Sequence, residues 1–262
     1  MKKEKEPGSM KKFIKKMAIA ILTGTIAFSV VPATVQAAGW KQNKNGYWWQ
    51  ENDYSYPRNQ WKTIYGKQYH FNSSGYMDTG WKQIDGKWYY LGNKNDGAKK
   101  TYWQKVYNKY YWLGNDGAMR TGWQKVYGKY YWLGHSNDGA MKTGWLAENK
   151  IWYYLKSDGK MAKGWLRVDG AWYYMNGSGY MLKGFITVGN GKYYMNGSGR
   201  MVTGWNVING YWYYFTSSGK MATGWQKIDN KWYYLSSDGK MAKNTWIGNW
   251  YVNGSGVWVK SR

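Results

Sequence analysis

The chain has 262 residues, with 21 Trp and 28 Tyr against 5 Phe, no Cys, and a formal charge of +24. Without Cys it has no disulfide framework, no thiol nucleophile and no thiolate metal site. Rings with a polar tip suit surfaces that are apolar at one end and wet at the other, whereas a sealed core favours Leu, Ile, Val and Phe.

In chain order, residues 1–37 read as a secretory signal peptide. Lys11, Lys12, Lys15 and Lys16 precede an apolar stretch from Met17 to Val31, and small residues at Val35 and Ala37 place the cut after Ala37. As an uncleaved anchor the stretch is short of the roughly 20 residues that span a bilayer. Met10 begins a conventional signal of its own. Seven Lys and two Glu lie in 1–37, so the remainder carries +19 of the +24. That surplus suggests an anionic partner. For an exported bacterial protein the candidates are wall phosphate polymers or an anionic membrane surface, and nucleic acid is not expected.

Residues 38–60 read as an irregular N-terminal cap or degenerate repeat beginning at Trp40. Residues 61–262 are tandem repeats. A large aromatic recurs at Trp61, Trp81, Trp103, Trp123, Trp145, Trp165, Phe185, Trp205, Trp225 and Trp246, at spacings of 20 to 22 residues. Ten or eleven units leave no room for a separate domain. In the unit starting at Gly80, Trp81–Ile84 is followed by Asp85-Gly86 and then Lys87-Trp88-Tyr89-Tyr90-Leu91. Two β-prone runs separated by Asp-Gly predict a hairpin with a type I′ turn. A second Gly-bearing loop, such as Ser157-Asp158-Gly159, closes each unit before a small apolar anchor such as Met161-Ala162. A lone hairpin is marginal in water, so successive hairpins are expected to stack. The fold class predicted is all-β: an elongated solenoid of two-stranded hairpins, about 20 residues per repeat, with helix confined to the signal peptide.

Alternation along a strand puts Trp152 and Tyr154 on one face and Tyr153 on the other. Rings converging between hairpins suit a quaternary ammonium, through cation–π attraction, or the apolar face of a sugar. The plainer reading is that the rings only fill the solenoid. The lysines recurring at Lys62, Lys82, Lys105, Lys125 and Lys227 are read either as a solvated face or as a complement to wall phosphate.

The segments GWKQIDGKWYYL, GWLRVDGAWYYMNGSGYMLK and GWQKIDNKWYYLSSDGKMAK resemble the cell-wall-binding (choline-binding) repeat family, related to glucan-binding repeats. The resemblance covers nearly all of the chain after the signal. It implies a hairpin superhelix with choline or sugar caged between consecutive hairpins. The cage would be the Gly-Trp aromatic, the second-strand Trp and an aromatic of the next unit. Carried onto this chain, the cages are Trp145 and Trp152 with Tyr173, with Met161 closing the wall; Trp81 and Trp88 with Tyr111; and Trp205 and Trp212 with Tyr233. The same pattern takes in Trp103 with Tyr110 and Tyr131, Trp123 with Tyr130 and Tyr153, Trp165 with Trp172, and Trp225 with Trp232. Tyr110 and Tyr130 depart from the usual Trp. Phe185 and Lys192 replace two cage rings, and that unit reads as having lost its site.

Catalysis finds little to stand on. Twelve carboxylates follow residue 37, and eight precede Gly or Asn at turn positions. Glu51, Asp53, Asp78 and Glu148 remain. A glycosidase needs two facing carboxylates, and Glu51 and Asp53 fall in a loop. His70 and His135 are too few for a zinc site, and no cofactor is implied. The expectation is an exported, cell-wall-associated, non-catalytic protein attaching to choline-bearing teichoic acid. The alternatives are an α-glucan binder or a structural, adhesive surface protein.

Overall fold

The computed structural model describes residues 37–262. The signal-peptide expectation, with its helix, therefore lies outside the described residues but for Ala37. Every element among the described residues is a β-strand. They pair as eleven antiparallel hairpins spanning 39–50, 60–71, 81–90, 102–113, 123–132, 144–155, 164–175, 184–195, 204–215, 224–235 and 245–261, the last carrying a third strand. The segment 39–50 is as regular as the rest, with Trp40 opposite Trp49. Irregular backbone is confined to the loop that follows it.

The hairpin turns are the tight ones that Asp-Gly and Asn-Gly predict. Asp169 and Gly170 adopt φ of 47° and 80°, both in the left-handed region a type I′ turn requires. Tyr65, Tyr107 and Tyr127 occupy the first turn position of three other hairpins at φ of 46° to 48°. There a bulky residue accepts a conformation that Asn or Asp takes more easily.

Each hairpin is its own small sheet, so the stack is joined by the linkers. After the 144–155 hairpin, the Ala162 amide donates to Tyr154 of that same hairpin, while the Met161 amide reaches back to the Tyr130 carbonyl of the preceding one, both at 2.8 Å. The same pair of bonds recurs after later hairpins: Met181 to Trp152, Met201 to Trp172, Met221 to Lys192, Met241 to Trp212. Every linker thus clamps two consecutive hairpins. The linkers also touch each other. A Cβ on Gly179 would overlap the Met161 sulfur, and Gly159, Gly199, Gly219 and Gly239 stand likewise against Met141, Met181, Met201 and Met221.

From the second hairpin on, the core takes one member from each hairpin, beginning with Phe71. Leu91, Leu113, Leu133, Leu155, Met175, Met195, Phe215, Leu235 and Val252 are fully buried, and each directly closes the second strand's aromatic run. Burial of such a side chain contributes about 1.5–3 kcal/mol, repeated along the array.

Candidate functional site

Cross-strand register decides what faces what. In the 144–155 hairpin Trp145 pairs with Tyr154 and Ala147 with Trp152, while Leu146 pairs with Tyr153. Trp145, Trp152 and Tyr154 therefore share one face, and Tyr153 takes the other, as alternation predicts. Tyr153 turns back onto the preceding hairpin, its ring 4.8 Å from Trp123. It is 8% exposed, while Trp152 is 43% exposed. Middle Tyr and flanking Trp have opposite fates.

The Trp–Tyr contact between neighbours repeats along the chain. Trp81 meets Tyr111 at 4.8 Å, Trp103 meets Tyr131 at 5.1 Å, Trp145 meets Tyr173 at 4.7 Å, Trp165 meets Tyr193 at 4.8 Å and Trp205 meets Tyr233 at 4.8 Å. All are edge-on, an arrangement favoured by the ring quadrupole. The second-strand Trp completes a corner: Trp145–Trp152, Trp165–Trp172 and Trp205–Trp212 lie 6.2–6.3 Å apart at near right angles. An open cleft of about 300 Å³ results, lined by Trp145, Trp152, Tyr173, Met181, Lys183 and Ser198. The preceding cleft, about 290 Å³, is lined by Trp123, Tyr130, Tyr153, Met161 and Lys163 beside residues of the next linker. Burial pushes the Tyr153 phenol above its ordinary range, aided by Tyr180.

One placement differs from the sequence-based expectation. Met161 walls the Trp123 cleft, and Met181 closes the cleft of Trp145 and Trp152. The reason is the linker's backward reach: Met161 bonds to Tyr130 and so sits over the hairpin before its own.

One cleft lies wholly, and another partly, beyond the residues singled out from the sequence. Trp40, Tyr47, Tyr69 and Met77 line a cleft of about 330 Å³ between the first and second hairpins, which Lys67, Asn95 and Asp96 also line. The signal was present, because Tyr47 follows Gly39-Trp40 at the same interval that separates Trp152 from Trp145. At the other end Trp225 and Trp232, both expected, are joined by Trp250 and Trp258 around about 320 Å³. Trp250 takes the middle-Tyr role, 5.8 Å from Trp225. Trp258 takes the Met role, since Val257 bridges to Tyr233 as Ala118 does to Tyr89. Gly256-Val257-Trp258 carries the spacing of Gly159-Lys160-Met161, with the Met replaced.

Three first-strand aromatics face a cation of the protein's own, Trp246 meeting the Arg262 guanidinium at 4.5 Å. The Lys192 ammonium lies 5.0 Å above the Phe185 ring. Lys99 occupies the Met place next to Gln68 and sets its ammonium 5.3 Å above Trp61. Burial lowers the Lys99 pKa from its usual value.

The leftover acidic residues have structural partners. Asp78 pairs with His70 at 2.7 Å and with Lys82 at 3.2 Å. Glu51 accepts from Lys62 and the Trp49 indole, Asp53 binds Ser55, and Glu148 lies 3.7 Å from His135.

The choline-binding repeat profile matches residues 59–103, 142–183 and 202–246, and that of the cell wall binding repeat matches 101–119 and 183–201. The chain belongs to the choline-binding repeat family. Among solved structures it is similar to CbpJ from Streptococcus pneumoniae TIGR4, at 28% identity over 85% of this chain and 100% of that one, with a TM-score of 0.60. Choline binding protein F from Streptococcus pneumoniae aligns at 29% identity over 86% and 99% of the two chains, also with a TM-score of 0.60. That protein has also been crystallised in the presence of a peptidoglycan analogue, in a structure aligning at 29% identity over 86% and 99% of the chains with a TM-score of 0.59. None of the curated proteins compared matches this chain. Within the family's repeat pattern, the Gly-Trp aromatic, the second-strand aromatic, the next unit's middle Tyr and the Met of the linker beyond it converge at the clefts of Trp40, Trp123 and Trp145, and Trp250 and Trp258 stand in for the Tyr and the Met at that of Trp225.

Proposed function

We propose that this protein is an exported, non-catalytic binding protein of the cell wall that holds choline-bearing teichoic acid through a ladder of aromatic cages. The observation that carries the reading is the exposed Trp152 indole, standing with Trp145 and Tyr173 around an open cleft instead of being sealed in the stack. Three or four rings at right angles offer their negative faces to a compact cation from several sides. Trp81 and Trp88 with Tyr111, Trp103 and Tyr110 with Tyr131, Trp123 and Tyr130 with Tyr153, Trp165 and Trp172 with Tyr193, and Trp205 and Trp212 with Tyr233 supply further cages. The end clefts at Trp40 and Trp225 extend the series. The places at Phe185 and Trp61, filled by Lys192 and Lys99, do not bind. Their own ammonium groups sit where the ligand's would.

Each cage is weak. At about 0.5–2 kcal/mol per ring, three rings correspond to a dissociation constant near millimolar, roughly −4.1 kcal/mol. A polymer bearing many cholines engages several at once and raises avidity by about 10²–10⁴. Binding without catalysis fits a chain whose acidic residues are spent on turns and ion pairs.

Retention on purified bacterial walls, eluted in parallel by choline, soluble glucan and salt, tests the reading. Release by tens of millimolar choline is expected, with glucan leaving the protein bound. Walls that hold the protein equally with and without choline would remove this function.

A further inference from the structure

Two of the clefts carry a feature that a site for choline alone would avoid. Lys163 lines the cleft of Trp123, Tyr130 and Tyr153, and Lys183 lines the cleft of Trp145, Trp152 and Tyr173. Each lies two residues beyond the wall Met. The Lys163 ammonium is 6.0 Å from the centre of the Tyr130 ring, and Lys125 faces the same ring at 5.7 Å. No carboxylate lines either cleft, and neither Lys163 nor Lys183 has an ion pair among the described residues. Arg200, the other cation near Trp145's cleft, is held by the Tyr173 hydroxyl at 3.1 Å.

An ammonium guarding a cation cage repels the cation it is meant to admit, since the two would lie within the Debye length of about 8 Å at physiological salt. The conflict disappears if the ligand brings an anion of its own to the rim. Ser178 and Ser198 line the same rims as Lys163 and Lys183, and a Ser hydroxyl with a Lys is an apt pair of donors for phosphate oxygens. Most other linkers supply the contrast, Lys243 after Met241 being the exception. Thr121, Thr143, Thr203 and Thr223 occupy the lysine's place after Met119, Met141, Met201 and Met221.

We propose that the Lys163 and Lys183 cages select a choline phosphate ester over free choline, the rings taking the trimethylammonium and the lysine the phosphate. The inference rests on the choline reading above and names the part of the ligand that reading left unspecified. It also divides the array into cages that read a zwitterion and Thr-bearing cages, such as that of Trp165 and Trp172, that read the ammonium alone.

Indole N–H resonances followed by NMR give a separate readout for each cleft of the full chain. Trp152 reports the Lys183 cage and Trp172 the Thr203 cage, with choline and phosphocholine titrated separately. Trp152 is expected to saturate at roughly three- to tenfold lower phosphocholine than choline, and Trp172 at similar concentrations of both. Lys183→Thr should bring the Trp152 ratio down to that of Trp172 while leaving the melting curve unchanged, because this linker backbone carries Thr elsewhere. A Trp152 ratio untouched by Lys183→Thr overturns the proposal. So does an equal gain in affinity for both ligands, which would mean that the lysine merely fills the cage. Shifts with choline but no preference sink this inference alone, whereas no shift with either ligand sinks the choline reading with it. Pelleting of the wild type and the Lys163→Thr/Lys183→Thr variant, with phosphatidylcholine vesicles and with phosphocholinated wall polymer, shows which source presents the group. Weaker pelleting of the variant in either arm supports the proposal, and equal pelleting in both overturns it.

Discussion

Adjacent rings on one strand do different work, and Trp152 beside Tyr153 makes the point. Tyr153 is buried against Trp123 of the neighbouring hairpin, so its loss leaves a cavity in the contact that holds two repeats together. Tyr153→Ala should destabilise the array by about 3–4 kcal/mol, the range for large aromatic truncations in a packed site. Trp152 lies at 43% exposure with its indole on the cleft. Trp152→Ala should change stability by about 1 kcal/mol or less and weaken choline at that one cleft by roughly five- to thirtyfold, the loss of one ring contact. Denaturant unfolding beside a site-resolved choline titration separates the two residues. If Trp152→Ala unfolds the protein as readily as Tyr153→Ala, the ring belongs to the core and the cage is an accident of packing.

At the scale of the element, the linker matters as much as the hairpin. Its Met amide ties back to the previous hairpin while its Met side chain covers the glycine of the next linker, so the linkers form a continuous spine. Gly179→Ala is doubly penalised: φ is +83°, and the new methyl would collide with Met161. A loss of about 2 kcal/mol or more is expected. Gly170→Ala, at φ of +80° with open space around it, should show only the backbone share. Thermal melts of the two variants compare them directly, and equal losses would remove the packing role of the spine. This spine was also the part least legible in the sequence. Hairpins announced themselves through Asp169-Gly170 and the alternating Trp172-Tyr173-Tyr174, because turn chemistry and strand alternation are local. The Met161–Tyr130 bond joins residues in different repeats, and no pattern within one unit reveals a backward step. The sequence therefore brought Trp145, Trp152 and Tyr173 together correctly but assigned them Met161 where Met181 belongs. The four-Trp end cleft escaped for a related reason: Trp250 and Trp258 fill the Tyr and Met roles with a different residue, visible only when the register is counted from the buried Val252.

Under the proposed function the whole molecule combines two attractions with different signatures. Charge acts on any polyanion and fades as salt rises, because the exposed lysines are screened beyond about 10 Å at 0.1 M ionic strength. The cages act on one chemical group, and their exposed apolar rings are little affected by salt. A wall polymer meets both, so the share of each is a measurable property of the array. Replacing Trp152, Trp172, Trp212 and Trp232 by Ala removes one ring from each of four cages, and all four indoles are 40–45% exposed. The fold should therefore survive, with its melting temperature lowered by only a few degrees. Wall affinity should fall by about 10² or more, whereas a single substitution should lower it by less than tenfold, because simultaneous engagement multiplies the weak sites. The charge is unchanged in this variant, so whatever binding remains should disappear at high salt. Wall pelleting across a salt series, run on the wild type, one single variant and the fourfold variant, checks all three expectations. A fourfold variant that still binds walls as the wild type does would assign adhesion to the lysines and leave the rings as scaffold.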